Sequence, residues 1–312
     1  MKICIFGNKT ATKELINYLL DKNIKVNCLI TLSNKAKDRH SISGQSNDLA
    51  EYFLKRGLIV NEIDEYTLSD HEYISFFESS KFDLGLCTGW QRIIPNNILN
   101  TFKYGVFGWH GSGFNLPNGK GRSPLNWSIR LGCKKIFHNC FQYNENPDEG
   151  DIFDIKKIII DDKDYIYDLQ IKVLEHIKES AVNLINSIIN CDLKLIQQPK
   201  LPYILFPKLT DKSGLLSLKN MIVEDAINIT RSCSHPFPGA YVRLDKDGKG
   251  IIRIWALRRT DVNGLSDKIS SGQGIIINNL LYLSFQDYIV ESENYEIEFF
   301  HKEGLKEPFS TF

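Results

Sequence analysis

Over the first ninety residues, short apolar runs alternate with stretches whose apolar positions recur every three or four residues. Residues 2–6 read as a strand, followed by a turn at Gly7-Asn8-Lys9-Thr10. Leu15, Ile16, Leu19 and Leu20 then fall at helical spacing within residues 11–22. Strands over 25–31, 58–62 and 82–87 and helices over 47–56 and 69–79 continue the alternation. This pattern predicts an α/β fold with a doubly wound, mainly parallel sheet. A further strand runs through Val106 and Phe107 and is expected to end on His110. A helix is expected from Pro124, proline being favoured in a first helical turn. Strands over 135–143 and 152–160 follow, then a long amphipathic helix over 165–190 carrying Leu169, Val173, Leu174, Ile177, Ala181, Leu184 and Ile185.

From Cys191 the texture changes. Gln197-Gln198-Pro199-Lys200-Leu201-Pro202 reads as a linker, and a helix is expected near 223–232. Short runs at Tyr241–Leu244, Gly250–Leu257, Gly274–Ile277 and Leu280–Phe285, separated by polar turns, predict a small β-barrel. The expected organisation is a first domain over 1–190, a linker over 191–205 and a barrel domain over 206–312.

Composition narrows the class. The chain has 312 residues, 42% hydrophobic and 24% charged, as in a soluble globular protein. Lys+Arg and Asp+Glu both number 38, so no long-range field draws the chain to nucleic acid or to an anionic membrane. The seven cysteines show no metal-ligand or redox spacing, which points to reduced thiols in a cytoplasmic protein without a metal. The N-terminus lacks the features of a signal peptide, and no apolar run reaches the length of a membrane span.

The candidate chemistry gathers at strand ends. In Gly105-Val106-Phe107-Gly108-Trp109-His110-Gly111-Ser112 a strand delivers His110 to a loop rich in glycine. Open α/β sheets bind ligands at such places, and imidazole exchanges protons near neutral pH. A lone histidine among aromatics also fits a packed core. The turn Asp148-Glu149-Gly150-Asp151 weighs against that reading, because its carboxylate is placed to meet His110 across adjacent strand ends. The loop Thr88-Gly89-Trp90-Gln91-Arg92-Ile93-Ile94-Pro95 is a second candidate pocket wall. Gly7 is not followed by a dinucleotide fingerprint, which argues against a nicotinamide oxidoreductase.

These motifs resemble the formyltransferases that use 10-formyltetrahydrofolate, in the two-domain branch that contains methionyl-tRNA formyltransferase and the sugar-nucleotide N-formyltransferases. The family pattern is Asn-x-His-x-Ser, a proline-containing loop with basic residues, then proline and a helix. Here it reads Gly108-Trp109-His110-Gly111-Ser112, Lys120-Gly121-Arg122 and Ser123-Pro124-Leu125-Asn126-Trp127. The family's Asp-x-Gly turn matches Asp148-Glu149-Gly150. Phe206-Pro207-Lys208-Leu209-Thr210 resembles the start of the C-terminal domain, and Arg231 with Pro236-Phe237-Pro238-Gly239-Ala240 resembles its Arg…Pro-x-Pro-Gly-Ala element.

The resemblance implies His110 and Asp148 as catalytic residues. It implies a 10-formyltetrahydrofolate site along Thr88, Gly89, Trp90, Arg92, Ile93, Asn144 and Asp148, and acceptor contacts from Ser112, Lys120 and Arg122. Two departures stand out: Gly108 replaces an asparagine credited in the family with stabilising the oxyanion, and the loop after Ser112 is longer. Asn115 and Asn139 are candidate substitutes for the missing donor, with a structural role as the alternative for both, and Gly108→Asn is expected to be tolerated or to change the rate mildly. The neutral charge balance, with a loop at Ser33–Ser46 that is not strongly basic, favours a nucleoside-diphosphate amino sugar over tRNA as acceptor. The product would be a formamido sugar for a surface polysaccharide such as O-antigen. The alternatives are methionyl-tRNA formyltransferase and a non-catalytic binding protein; the oligomeric state, a homodimer included, stays open.

Overall fold

The computed structural model describes residues 1–36, 48–65, 67–244, 250–260, 262, 264–298, 305 and 307–312. The Ser33–Ser46 loop weighed above lies largely outside the described residues. The chain falls into two compact units. One holds residues 1–120, 137–158 and 171–205; the other holds 121–136, 159–170 and 206–312.

The first unit is built on β1 (Ile3–Phe6), β2 (Cys28–Leu32), β3 (Ile59–Ile63), β4 (Leu84–Cys87), β5 (Val106–Ser112), β6 (Lys135–Gln142) and β7 (Ile152–Ile159). They form one sheet in the order β3-β2-β1-β4-β5-β6-β7. β1 pairs in parallel with β2 and β4, β4 in parallel with β5, and β5 antiparallel with β6. The expected doubly wound, mainly parallel sheet is therefore present.

Period-two alternation divides each central strand between two cores. Ile3, Ile5 and Phe107 join Leu15 and Leu19 of helix α1 (Thr10–Asp21) on one face. Cys4, Phe6 and Val106 join Phe77, Ile98 and Phe102 on the other. Phe77 belongs to a helix at His71–Ser80 and Ile98 to a short one at Asn96–Leu99, with another short helix at Leu49–Leu54. The Phe6 ring sits 5.6 Å from Phe77 and 5.9 Å from Phe102. The chain reverses direction across the sheet between β1 and β4, and the loops after β1, β4 and β5 share that carboxyl edge, where open α/β sheets hold ligands.

On the other face from His110, β6 carries a buried polar chain. Asp154 Oδ2 lies 2.9 Å from His176 Nε2, and His176 Nδ1 lies 2.7 Å from His138 Nδ1. The carboxylate must accept, so His176 donates from Nε2, and a single hydrogen lies between the two Nδ1 atoms. Burial, reinforced by the neighbouring His176, pushes His138 well below the usual histidine range. The hydrogen bond from His176 lowers Asp154. The unfolded chain takes up a proton at position 138 near pH 6.5, whereas the folded chain does so only at lower pH. Stability present above that pH is thus lost as pH falls below it, at most about 1.4 kcal/mol per unit for one proton. The urea midpoint is expected to drop between pH 7.5 and 5.5, and to drop less in His138→Gln. An equal slope in both proteins would refute this role.

The second unit includes helix α2 (Pro124–Arg130), which begins on Pro124 as expected, and helix α3 (Val223–Cys233). Asn126 Nδ2 donates to the Ser232 carbonyl at 2.8 Å, tying the two helices. Arg231 is buried, and its guanidinium donates at 2.7 Å to the carbonyls of Asp161 and Asp164. Two antiparallel sheets follow. The first takes strands Ala240–Arg243, Ile251–Ile254 and Tyr295–Glu298. The second takes Arg258–Arg259, Gln273–Ile277, Leu280–Ser284, Ile289–Ser292 and Phe309–Ser310. Val242, Ile252, Ile254, Leu281, Leu283 and Val290 pack with Val223, Ala226 and Ile229 of α3 to make the core of this small barrel-like domain. Asn278 and Asn279, both at positive φ, form the two-residue hairpin turn before Leu280.

Candidate active site

β5 does not end on His110 as expected. Gly111 and Ser112 still pair with His138 and Phe137 of β6, so the strand runs two residues further. Alternation along β5 turns Val106, Gly108 and His110 to one face. Across the ladder, Phe141 stands opposite Gly108 and Asn139 opposite His110. Tyr143 N donates to the Val106 carbonyl at 2.7 Å, so Tyr143 is the next residue on that same face.

His110 is 7% exposed and held on both sides. Nε2 lies 2.8 Å from the Gly119 carbonyl, which can only accept, so Nε2 carries a proton. Nδ1 faces Asp148 Oδ2 at 3.7 Å. The nitrogen free to gain or lose a proton is therefore Nδ1, on the side of the carboxylate. Gly119 makes this possible by its backbone: φ is +72°, and a Cβ there would collide with Ser112 Oγ.

Asp148 sits at φ +58°, a left-handed conformation that Asp and Asn tolerate better than most residues. Its turn is tied down from afar. Gln198 Nε2 donates to the Asp148 carbonyl at 3.1 Å and to the Gly150 carbonyl at 2.7 Å. Lys120 Nζ pairs with Glu149 Oε1 at 2.9 Å and lies 4.2 Å from the Tyr203 ring centroid. The ion pair links the loop that carries the acceptor of His110 to the turn that carries Asp148. Gly119 N in turn donates to the Ile204 carbonyl at 3.1 Å, and Ile204 N to Asn118 Oδ1 at 3.2 Å. Ile196 bridges to Ile152. Residues 196–204, read from sequence as part of a linker, thus brace the supports of both His110 and Asp148.

Gly108 is filled rather than vacant. A Cβ there would run into the hydroxyl and ring of Tyr143. Gly108→Asn meets a steric obstacle, because the asparagine would have to displace the hydroxyl end of a ring packed 5.3 Å from Phe141. Gly108→Asn is expected to cost about 1–3 kcal/mol, the usual penalty for overpacking. A thermal melt checks this; an unchanged midpoint would mean that the ring swings away freely.

The other expected residues are placed as follows. Lys120 is 4% exposed, with its ammonium committed to Glu149, and Ser112 is fully buried, its Oγ accepting from Phe114 N. Trp90 is 8% exposed and packs 6.1 Å from Phe6 in the core. Ile93 is 62% exposed beside exposed Arg92, so the loop after β4 offers an apolar wall at Ile93. Thr88, whose carbonyl accepts from Thr12 Oγ1, and Gly89 at φ +78° form the start of that loop. Asn144 Oδ1 accepts from Asn146 N within the acidic turn. Arg122 belongs to the second unit, where its N donates to the Phe206 carbonyl. Of the candidate donors, Asn139 is fully buried, with Nδ2 3.3 Å from the Phe137 carbonyl. Tyr143, Gln198 and Glu149 were not singled out from sequence. A glycine inside a strand does signal close approach by another group, and at Gly108 that group is Tyr143.

A mainly parallel α/β sheet thus brings a buried histidine and a carboxylate together, and the loops of its carboxyl edge are where such sheets hold ligands. The chain belongs to the formyl transferase family, whose pattern matches residues 1–185 and so includes both His110 and Asp148. It is a transferase that uses a formyl donor. A methionyl-tRNA formyltransferase of Prochlorococcus marinus (strain MIT 9515) is 24% identical over 305 residues, covering 91% of this chain and 88% of the relative. The N-formyltransferase from Helicobacter canadensis, solved in complex with folinic acid and dTDP-3-aminofucose, shares the fold with a TM-score of 0.66 at 16% identity, covering 95% of this chain and all of its own. HypX from Aquifex aeolicus in complex with tetrahydrofolic acid matches 94% of this chain at a TM-score of 0.64 and 12% identity. This chain spans 43% of HypX.

Proposed function

We propose that the protein transfers the formyl group of 10-formyltetrahydrofolate to the amine of an amino-dideoxy sugar carried on a nucleoside diphosphate. The observation that carries the chemistry is His110, with Nε2–H fixed on Gly119 and Nδ1 facing Asp148. An amine that attacks a formyl carbon must shed a proton, and the departing folate nitrogen must gain one. Nδ1 handles that proton, and the Asp148 carboxylate offsets the imidazolium charge. The loop Thr88–Ile93, with Arg92, exposed Ile93 and backbone polar groups, and the segment Asn144–Asp148 suit a flat, amide-like pterin. Trp90 supports that loop from the core. Ser112, Lys120 and Arg122 are assigned to the acceptor side. Of these, Lys120 acts through its pair with Glu149, and Arg122 is the residue suited to phosphate.

Balanced charge, 38 residues of each sign, supports the sugar nucleotide as acceptor, as does the fold shared with the Helicobacter canadensis enzyme. A product of this kind would feed surface-polysaccharide synthesis in the cytoplasm. Sequence similarity to methionyl-tRNA formyltransferases over 91% of the chain favours a second reading, methionyl-tRNA as acceptor. The test is a transfer assay with 10-formyltetrahydrofolate, a panel of nucleoside-diphosphate amino sugars and methionyl-tRNA, following tetrahydrofolate release and product mass. A formylated sugar nucleotide is the expected product. Formylated methionyl-tRNA alone would replace the first reading by the second, and folate binding without turnover on any amine would leave a binding protein.

A further inference from the structure

The face of β5 that presents His110 also presents a phenol. Gly108 lies two residues before His110 on that face, and the space above its Cα is taken by the hydroxyl end of Tyr143. The backbone bond from Tyr143 N to the Val106 carbonyl fixes where the ring starts, and contact with Phe141 fixes where it leans. Tyr143 therefore covers Gly108, two positions before His110 on one face of β5, and Asp148 faces His110. We infer that Tyr143 is a catalytic residue whose hydroxyl donates a hydrogen bond to the formyl oxygen as negative charge develops there.

Three further observations support this role. The phenol keeps its proton: burial, then the nearby Cys87 and Asp148, hold Tyr143 well above the usual phenol range. It is thus a neutral donor at any working pH. The Cys87 thiol near it is likewise pushed up to about 12 by burial, so it too keeps its proton. A neutral thiol is a weak acceptor, so it competes little with a developing oxyanion for the phenol's hydrogen bond. Asn139, the other polar residue opposite His110, has no exposed surface, and its amide points to the Phe137 carbonyl.

The inference rests on the formyl-transfer reading, and the step balances within it. The amine nitrogen forms a bond to the formyl carbon, and the carbonyl electron pair moves to oxygen, where Tyr143 donates. The oxygen pair then returns, and the bond from the formyl carbon to the folate nitrogen breaks. That nitrogen takes up one proton, and the amine gives up one through Nδ1 of His110. Tyr143 ends the cycle with the proton it began with.

The test is Tyr143→Phe, which keeps the ring above Gly108 and removes one oxygen. Loss of a single oxyanion donor lowers kcat by about 100- to 1000-fold. The expected result is a fall of that size, with KM for both substrates within about threefold of the parent and an unchanged melting temperature. A second comparison sets Tyr143→Ala against Tyr143→Ala combined with Gly108→Asn. Removing the ring opens the space for an amide donor, so the double variant is expected to recover at least tenfold in kcat over the single one. Tyr143→Phe with kcat within threefold of the parent would overturn the inference and leave the formyl-transfer reading intact. A parent protein inactive on every amine would overturn both.

Discussion

Replacing His110 with alanine is expected to reduce formyl transfer by about 10²- to 10⁴-fold, the range associated with a positioned acid–base group. The effect should fall on kcat, because proton handling at Nδ1 matters only once the amine attacks. The ring is 7% exposed and holds the Gly119 carbonyl, so some loss of stability will accompany it. Steady-state kinetics and a thermal melt on the same preparation separate the two effects. Melting shows whether the chain is folded at the assay temperature, and kcat shows the chemistry. If a folded His110→Ala protein kept full activity, the roles given to this site would fall together.

Asp148→Asn is the second large effect, with an expected loss of about 100-fold or more in kcat. Asparagine is chosen for a backbone reason. Position 148 sits at φ +58°, which asparagine adopts with little strain, and Gln198 holds the turn through main-chain carbonyls that the substitution does not touch. The turn should keep its shape while the negative charge beside Nδ1 disappears. Activity equal to the parent would show that His110 works without an electrostatic partner. Loss of activity with an unchanged melting temperature would place the effect on the charge.

The alternation of the chain was legible because it rests on local pattern. Ile3 and Ile5 go to one core and Cys4 and Phe6 to the other, as the period of a strand requires. The meeting of His110 with Asp148 was legible too, since the Asp148 turn follows β6, the strand paired with β5. What sequence alone did not show depends on register and side-chain direction. Gly111 and Ser112 resemble a loop in composition, yet pairing with β6 makes them strand. Lys120 reads as a free cation until Glu149 is found 2.9 Å away. Tyr143 reads as one more strand aromatic until the Val106 bond places its ring over Gly108. Gln198 lies fifty positions from the carbonyl it holds, and nothing in its neighbourhood of the chain announces that contact.

The bracing by residues 196–204 lies outside the part of the chain that announces the family. The family pattern ends at residue 185, after both His110 and Asp148. Gln198 on the Asp148 turn and Ile204 on Gly119 lie beyond that point. A chain cut after residue 185 would carry every side chain assigned to the proton transfer and none of the ties from 196–204 that hold those side chains face to face. The piece that is recognisable is therefore shorter than the piece that contains these ties, and residues 196–204, which supply them, form almost no regular secondary structure of their own.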